Sequence, residues 1–202
     1  MKSPYTIPNL LTGLRIVLIP VIVGLFLLRN YLPHGWGDML AGLMFAAAGI
    51  TDSLDGYVAR RLGLVSPLGE FLDPVADKLI VATALVLIVA RNPAWYVTLT
   101  AAVIIGREIA ISALREWMAE IGARRKVAVS SLGKFKTIAQ IVGLSMMLFS
   151  EDLFGLPIYW MGLALTVAAA VLTLWSMGIY LRAAWPELSR EPRTGAPPGL
   201  SP

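Results

Sequence analysis

The sequence predicts an all-α integral membrane protein with six transmembrane helices and both termini in the cytoplasm. Three observations predict it. Of 202 residues, 57% are hydrophobic and 15% charged, where a soluble domain has roughly 45–50% and about 25%. The apolar residues gather into six runs, and a spanning helix needs about 20 residues. Lys and Arg collect on alternate turns, the side that the positive-inside rule assigns to the cytoplasm. The mean hydropathy of +0.72 excludes a disordered chain, which needs low hydrophobicity and high charge. There is no Cys, so disulfides, zinc thiolates and thiol nucleophiles are excluded. The single His34 supplies neither a His-rich metal site nor a Ser-His pair. Any metal must therefore be held by oxygen. The net charge of +4 suits a protein facing anionic lipid or phosphate, and no nucleic-acid partner is expected.

The first span runs from Asn9 to Leu28, with Arg15 near its start and a potential kink at Pro20. Residues 29–38 combine aromatic and turn residues, as a loop at a membrane surface does. The second span begins near Met39 and reaches Arg60 and Arg61. Its first half is rich in Ala and Gly, which permits close helix packing. A turn around residues 63–66, then Pro67, leads to a third span from about Gly69 to Ala90. Arg91, Asn92 and Pro93 turn into a fourth, Ala94 to about Trp117. A basic connection with Arg124, Arg125 and Lys126 precedes the fifth, Leu132 to Phe149. An acidic turn leads to the sixth, Ile158 to about Leu181. Residues 1–184 are read as one membrane domain and 185–202 as a flexible polar tail without a catalytic role. No internal repeat is visible, which weakens an inverted-repeat transporter reading.

Four aspartates, Asp52, Asp55, Asp73 and Asp77, lie within or beside these spans. Each costs a few kcal/mol in lipid, so they should face a polar cavity. Asp52, Asp55, Gly56 and Ala59 fall at i, i+3, i+4 and i+7 and share one helix face. Asp73 and Asp77 are at i, i+4 on the next helix. The short turn makes the two helices antiparallel, so both pairs converge at the cytoplasmic end. Converging carboxylates repel strongly. Hard divalent cations resolve this and leave positions for substrate phosphates. Arg60 and Arg61 sit one turn beyond and can hold phosphate oxygens. The bland alternative, ion-paired aspartates at helix ends, suits one Asp better than four at this spacing.

The run from Asp52 to Arg60, with Gly69, Asp73 and Asp77, is similar to the signature of the CDP-alcohol phosphatidyltransferase family, D-x2-D-G-x2-A-R-x8-G-x3-D-x3-D. Every fixed position agrees. The resemblance implies that family's fold, and transfer of a phosphatidyl group from CDP-diacylglycerol to an alcohol. It implies Asp52, Asp55 and Asp73 as metal ligands, with Asp77 ligating or acting as the general base. It implies that Gly56, Ala59 and Arg60 contact the CDP moiety beside Asp52, with Gly69 giving room. Two ions, Mg²⁺ or Mn²⁺, are implied, and a homodimer in the inner membrane with its site facing the cytoplasm. The residues alone do not choose the base. Asp77 suits the role as the aspartate deepest in the third helix.

The acceptor is read from other stretches. Residues 7–15, Gly106 to Ile109, Ser112 to Trp117, and Ala128 to Gln140 resemble members of the family that take sn-glycerol 3-phosphate. That acceptor is small and dianionic and needs fixed cations near the aspartates. Arg107, Lys134 and Lys136 lie toward the cytoplasmic halves of the fourth and fifth helices. Arg115, at i+8 from Arg107, shares roughly its face. Arg124, Arg125 and Lys126 read instead as an anchor on anionic lipid. Asn9, Thr12 and Arg15 recur every third residue; they either buttress the site or sit at the membrane interface. The nearest alternative is a family member using serine, inositol phosphate or phosphatidylglycerol. A cation transporter would hold its aspartates near the midplane in broken helices. A lipid-binding protein without chemistry is the third reading.

Overall fold

The computed structural model describes residues 7–62, 67–122 and 132–188. Among the described residues there are six long helices and no strand: α1 (Ile7–Leu28), α2 (Trp36–Leu62), α3 (Pro67–Arg91), α4 (Trp95–Glu120), α5 (Leu132–Phe149) and α6 (Ile158–Leu188). A short 3-10 turn, Pro33–Gly35, leads into α2. The loop read over residues 29–38 is thus shorter than expected, because the helix begins at Trp36. Pro67 opens α3, a first-turn position where its missing N–H costs nothing. Helix α1 runs unbroken through Pro20.

Helix α6 continues past the expected end at Leu181 to Leu188. Ala184 explains this. It is fully buried and packs with Tyr180 against Ile111 and Met118 of α4, so the helix gains a docking surface beyond the apolar run. The boundary drawn at residue 184 falls inside this helix.

The helices pack α1 on α2 and α3, α2 on α5, α5 on α6, and α4 on α6. The main core threads through the middle, with Ile22, Phe45, Ile88, Ile104, Leu144 and Met147 buried. Helices α5 and α6 meet at two glycines. A Cβ at Gly143 would stand 2.9 Å from the Gly162 carbonyl oxygen, and one at Gly162 would stand 2.7 Å from that of Gly143. Only hydrogen fits on either side, which lets the two backbones touch.

The outer surface is apolar. Leu27, Ile50, Val86, Ile109, Val171 and Trp175 are among many large hydrophobic side chains that stand exposed. An apolar belt of this extent suits lipid, since soluble monomers rarely expose contiguous patches above a few hundred Å². Among the described residues, α4 and α6 are by length and composition apolar enough to cross a membrane, and Thr12–Leu28 and Lys136–Phe149 form shorter apolar helices. Helices α2 and α3 carry the aspartates within their length, which lowers their hydropathy.

Candidate active site

One end of the bundle gathers the charges. The start of α1, the end of α2, the start of α3, the end of α4, the start of α5 and the end of α6 meet there, as an antiparallel up-and-down chain requires. They enclose a cavity of about 340 Å³. Its lining has two poles.

The acidic pole is built on α2 and α3. Asp52 and Asp77 line the cavity, and the carboxylates of Asp52 and Asp73 lie close enough to act electrostatically on Asp77. Helix α1 brings the neutralising partner. Arg15, 4% exposed, pairs through Nη2 with Asp52 Oδ1 at 3.0 Å and donates from Nη1 to Asp77 Oδ1 at 2.5 Å. One turn earlier, the Thr12 hydroxyl donates to Asp73 Oδ1. The i, i+3 spacing of Thr12 and Arg15 puts both on the face that meets α2 and α3. Gly69 is buried.

The basic pole is built on α4 and α5. Arg107 is 8% exposed and Lys136 6%, and both line the cavity with Arg115. Arg107 Nη1 donates to Glu108 Oε2 at 2.9 Å. Its Nε is buried without a hydrogen-bond partner among the described residues, an orphaned donor in a cavity wall. Lys136 lies within the fields of Arg107 and Arg115. The Arg115 guanidinium stands 5.7 Å from the Tyr180 ring centre, close enough for cation–π attraction. Lys78 also lines the cavity and donates to the Ser112 hydroxyl.

Asp52, Asp73, Asp77, Arg107, Arg115 and Lys136 are thus brought to one end by the four helices that carry them, α2 to α5. Asp55, Gly56, Ala59, Arg60 and Lys134 belong to α2 and α5, but their surroundings lie outside the described residues. No three Asp, Glu, His or Cys side chains among the described residues are grouped so as to hold a metal ion. In chemistry the aspartates still fit one. They offer only hard oxygen donors, and the field between Asp52 and Asp77 already draws in the positive charge of Arg15.

A family model for CDP-alcohol phosphatidyltransferases matches residues 5–175. The chain belongs to the CDP-alcohol phosphatidyltransferase family. Its relatives in that family are close in sequence. A protein of Salmonella choleraesuis (strain SC-B67), named CDP-diacylglycerol–glycerol-3-phosphate 3-phosphatidyltransferase, is 51% identical over 89% of this chain and 95% of its own length. Proteins of the same name from Shigella flexneri serotype 5b (strain 8401) and Escherichia coli (strain K12) are each 50% identical over 91% of this chain and 97% of theirs.

Against this phosphatidyltransferase framework, three cavity-lining residues are not singled out as site residues by the sequence: Lys78, Gln140 and Tyr180. The sequence leaves Thr12 and Arg15 between two readings, and the structure puts both at the acidic pole. A buried charge inside an apolar helix was the available signal for Arg15. Lys78 adjoins Asp77 in sequence but gave no separate sign of facing the same cavity.

Proposed function

We propose that this chain transfers the phosphatidyl group of CDP-diacylglycerol to sn-glycerol 3-phosphate, giving phosphatidylglycerol phosphate and CMP. One observation carries the reading: a single cavity joins a carboxylate pole to a pole of three cations, Arg107, Arg115 and Lys136. A small dianionic alcohol spans such a pair. Its phosphate takes the basic pole through charge-assisted hydrogen bonds, and its hydroxyl is left pointing at the aspartates. The names of the relatives support the same acceptor.

Asp77 is the general base in this reading, within reach of the hydroxyl end. It accepts the proton of the 1-hydroxyl. The freed oxygen forms a bond to the phosphorus nearest the lipid, and the bond from that phosphorus to the bridging diphosphate oxygen breaks. The electron pair leaves with CMP. Gly56, Ala59, Arg60 and Gly69 border the cytidine diphosphate. Lys134 adds to the phosphate pole. Two divalent cations, Mg²⁺ or Mn²⁺, held by Asp52, Asp55, Asp73 and Asp77, supply neutralisation of the diphosphate and of the departing charge.

Six membrane crossings with both termini cytoplasmic fit this chemistry. The site then opens where a lipid substrate and a soluble one can both arrive, in the inner membrane and facing the cytoplasm. The aromatic side chains Trp95, Tyr96, Tyr159 and Trp160 cluster at the other end of the bundle, where an interfacial belt belongs. Outward-facing Ala164 and Ala168 on α6 supply the small-xxx-small pattern that supports pairing into a homodimer.

The deciding experiment assays purified protein with CDP-diacylglycerol and a panel of alcohols under metal titration. Glycerol 3-phosphate should be turned over far faster than serine, inositol phosphate or phosphatidylglycerol. Faster turnover of serine would sink the acceptor assignment.

A further inference from the structure

The two aspartates that line the cavity are bridged by a cation of the chain itself. Arg15 reaches Asp52 with one terminal nitrogen and Asp77 with the other, and its side chain is almost wholly buried. Helix α1 thus supplies a positive charge between α2 and α3, where two like charges would otherwise push those helices apart. Thr12 fixes the same face of α1 to Asp73, so the helix is held in register with Asp52, Asp73 and Asp77. A guanidinium paired with both carboxylates sets its charge where a divalent cation would bind. The competition is one of charge: a guanidinium and a divalent cation drawn to the same two carboxylates repel each other across that short span.

We infer that Arg15 is a positioning residue that serves as the built-in counter-ion of the metal-free site and competes with the divalent cation for Asp52 and Asp77. The guanidinium keeps the acidic pole assembled before the ion arrives, and repulsion between the two cations draws it back from at least one carboxylate when the ion binds. The inference rests on the metal reading given above. It makes metal affinity lower than the aspartates alone would allow, because the competent arrangement is only part of the metal-free population.

The test uses the full chain, purified in detergent and stripped with chelator. Mn²⁺ binding is followed by calorimetry, without substrates and without an activity readout. Wild type should bind Mn²⁺. R15Q should bind it more tightly by about tenfold, the change expected when a competing state populated roughly nine-tenths of the time is removed. The metal-free R15Q protein should also melt below wild type, and Mn²⁺ should raise its melting temperature by more than it raises that of wild type. Damage to packing would weaken binding; loss of a competitor tightens it. R15K keeps the charge but not the two-pronged reach, and its affinity should fall between the two. If R15Q does not fold, R15K carries the same comparison alone. Unchanged or weaker Mn²⁺ binding in a folded variant overturns the inference. Absence of Mn²⁺ binding in wild type overturns the metal reading itself, and this inference with it.

Discussion

At Asp77 a carboxylate placed to accept a proton also receives a 2.5 Å contact from Arg15. Its neighbours Asp52 and Asp73 keep it in a field of like charge. Replacing it with Asn preserves shape and removes basicity. D77N should lower kcat by about 10²–10⁴-fold, the usual worth of a general base, while binding of CDP-diacylglycerol to the variant stays within a few fold of wild type. Retained turnover would remove Asp77 from the base role. Arg107 tests the other pole. Its buried Nε has no partner among the described residues, so a substrate oxygen is the natural acceptor. R107Q should raise KM for glycerol 3-phosphate by about 10–100-fold, since a hydrogen bond to a charged group contributes roughly 1.5–3 kcal/mol. KM for CDP-diacylglycerol should move little. An equal rise in both constants would place Arg107 elsewhere.

Among the elements, α5 and α6 hold each other through hydrogen-only contacts at Gly143 and Gly162. A Leu at Gly162 must push the backbones apart. G162L should destabilise the protein by about 1–3 kcal/mol or more, the range for over-packing, seen as a lower melting temperature in detergent. The six helices themselves were legible in the sequence, because each apolar run is long and bounded by polar turns. The convergence of Asp52 with Asp73 and Asp77 was legible too, since helical spacing and a short turn leave little choice. The partner of those aspartates was not. Arg15 is far away in sequence, and no periodicity on α1 reveals which neighbouring helix its face will meet. The end of α6 was misplaced for a similar reason. Hydropathy falls after Leu181, but Ala184 docks on α4, and tertiary packing carries the helix onward.

For the whole molecule, the separation of charge from apolar surface gives two further expectations. Chelation of divalent cations should abolish transfer, and Mg²⁺ or Mn²⁺ should restore it; activity that survives exhaustive chelation would remove the metal from the mechanism. Deleting residues 189–202 should leave kcat and both KM values unchanged, because every residue placed at the site precedes them. A loss of turnover on deletion would give that segment a role.

The end of the bundle away from the cavity is cross-braced. Arg91 pairs with Asp38 at 2.8 Å and also donates to the Leu148 carbonyl, while Asn92 donates to the Tyr159 hydroxyl at 3.0 Å. Those contacts tie α2, α3, α5 and α6 together at one end. At the other end the same helices are parted by a cavity. A bundle fastened at one end and hollow at the other confines its open space to the end that carries the charged side chains. Two reactants so unlike in size, one anchored in the bilayer and one free in water, then have a single shared space in which to meet.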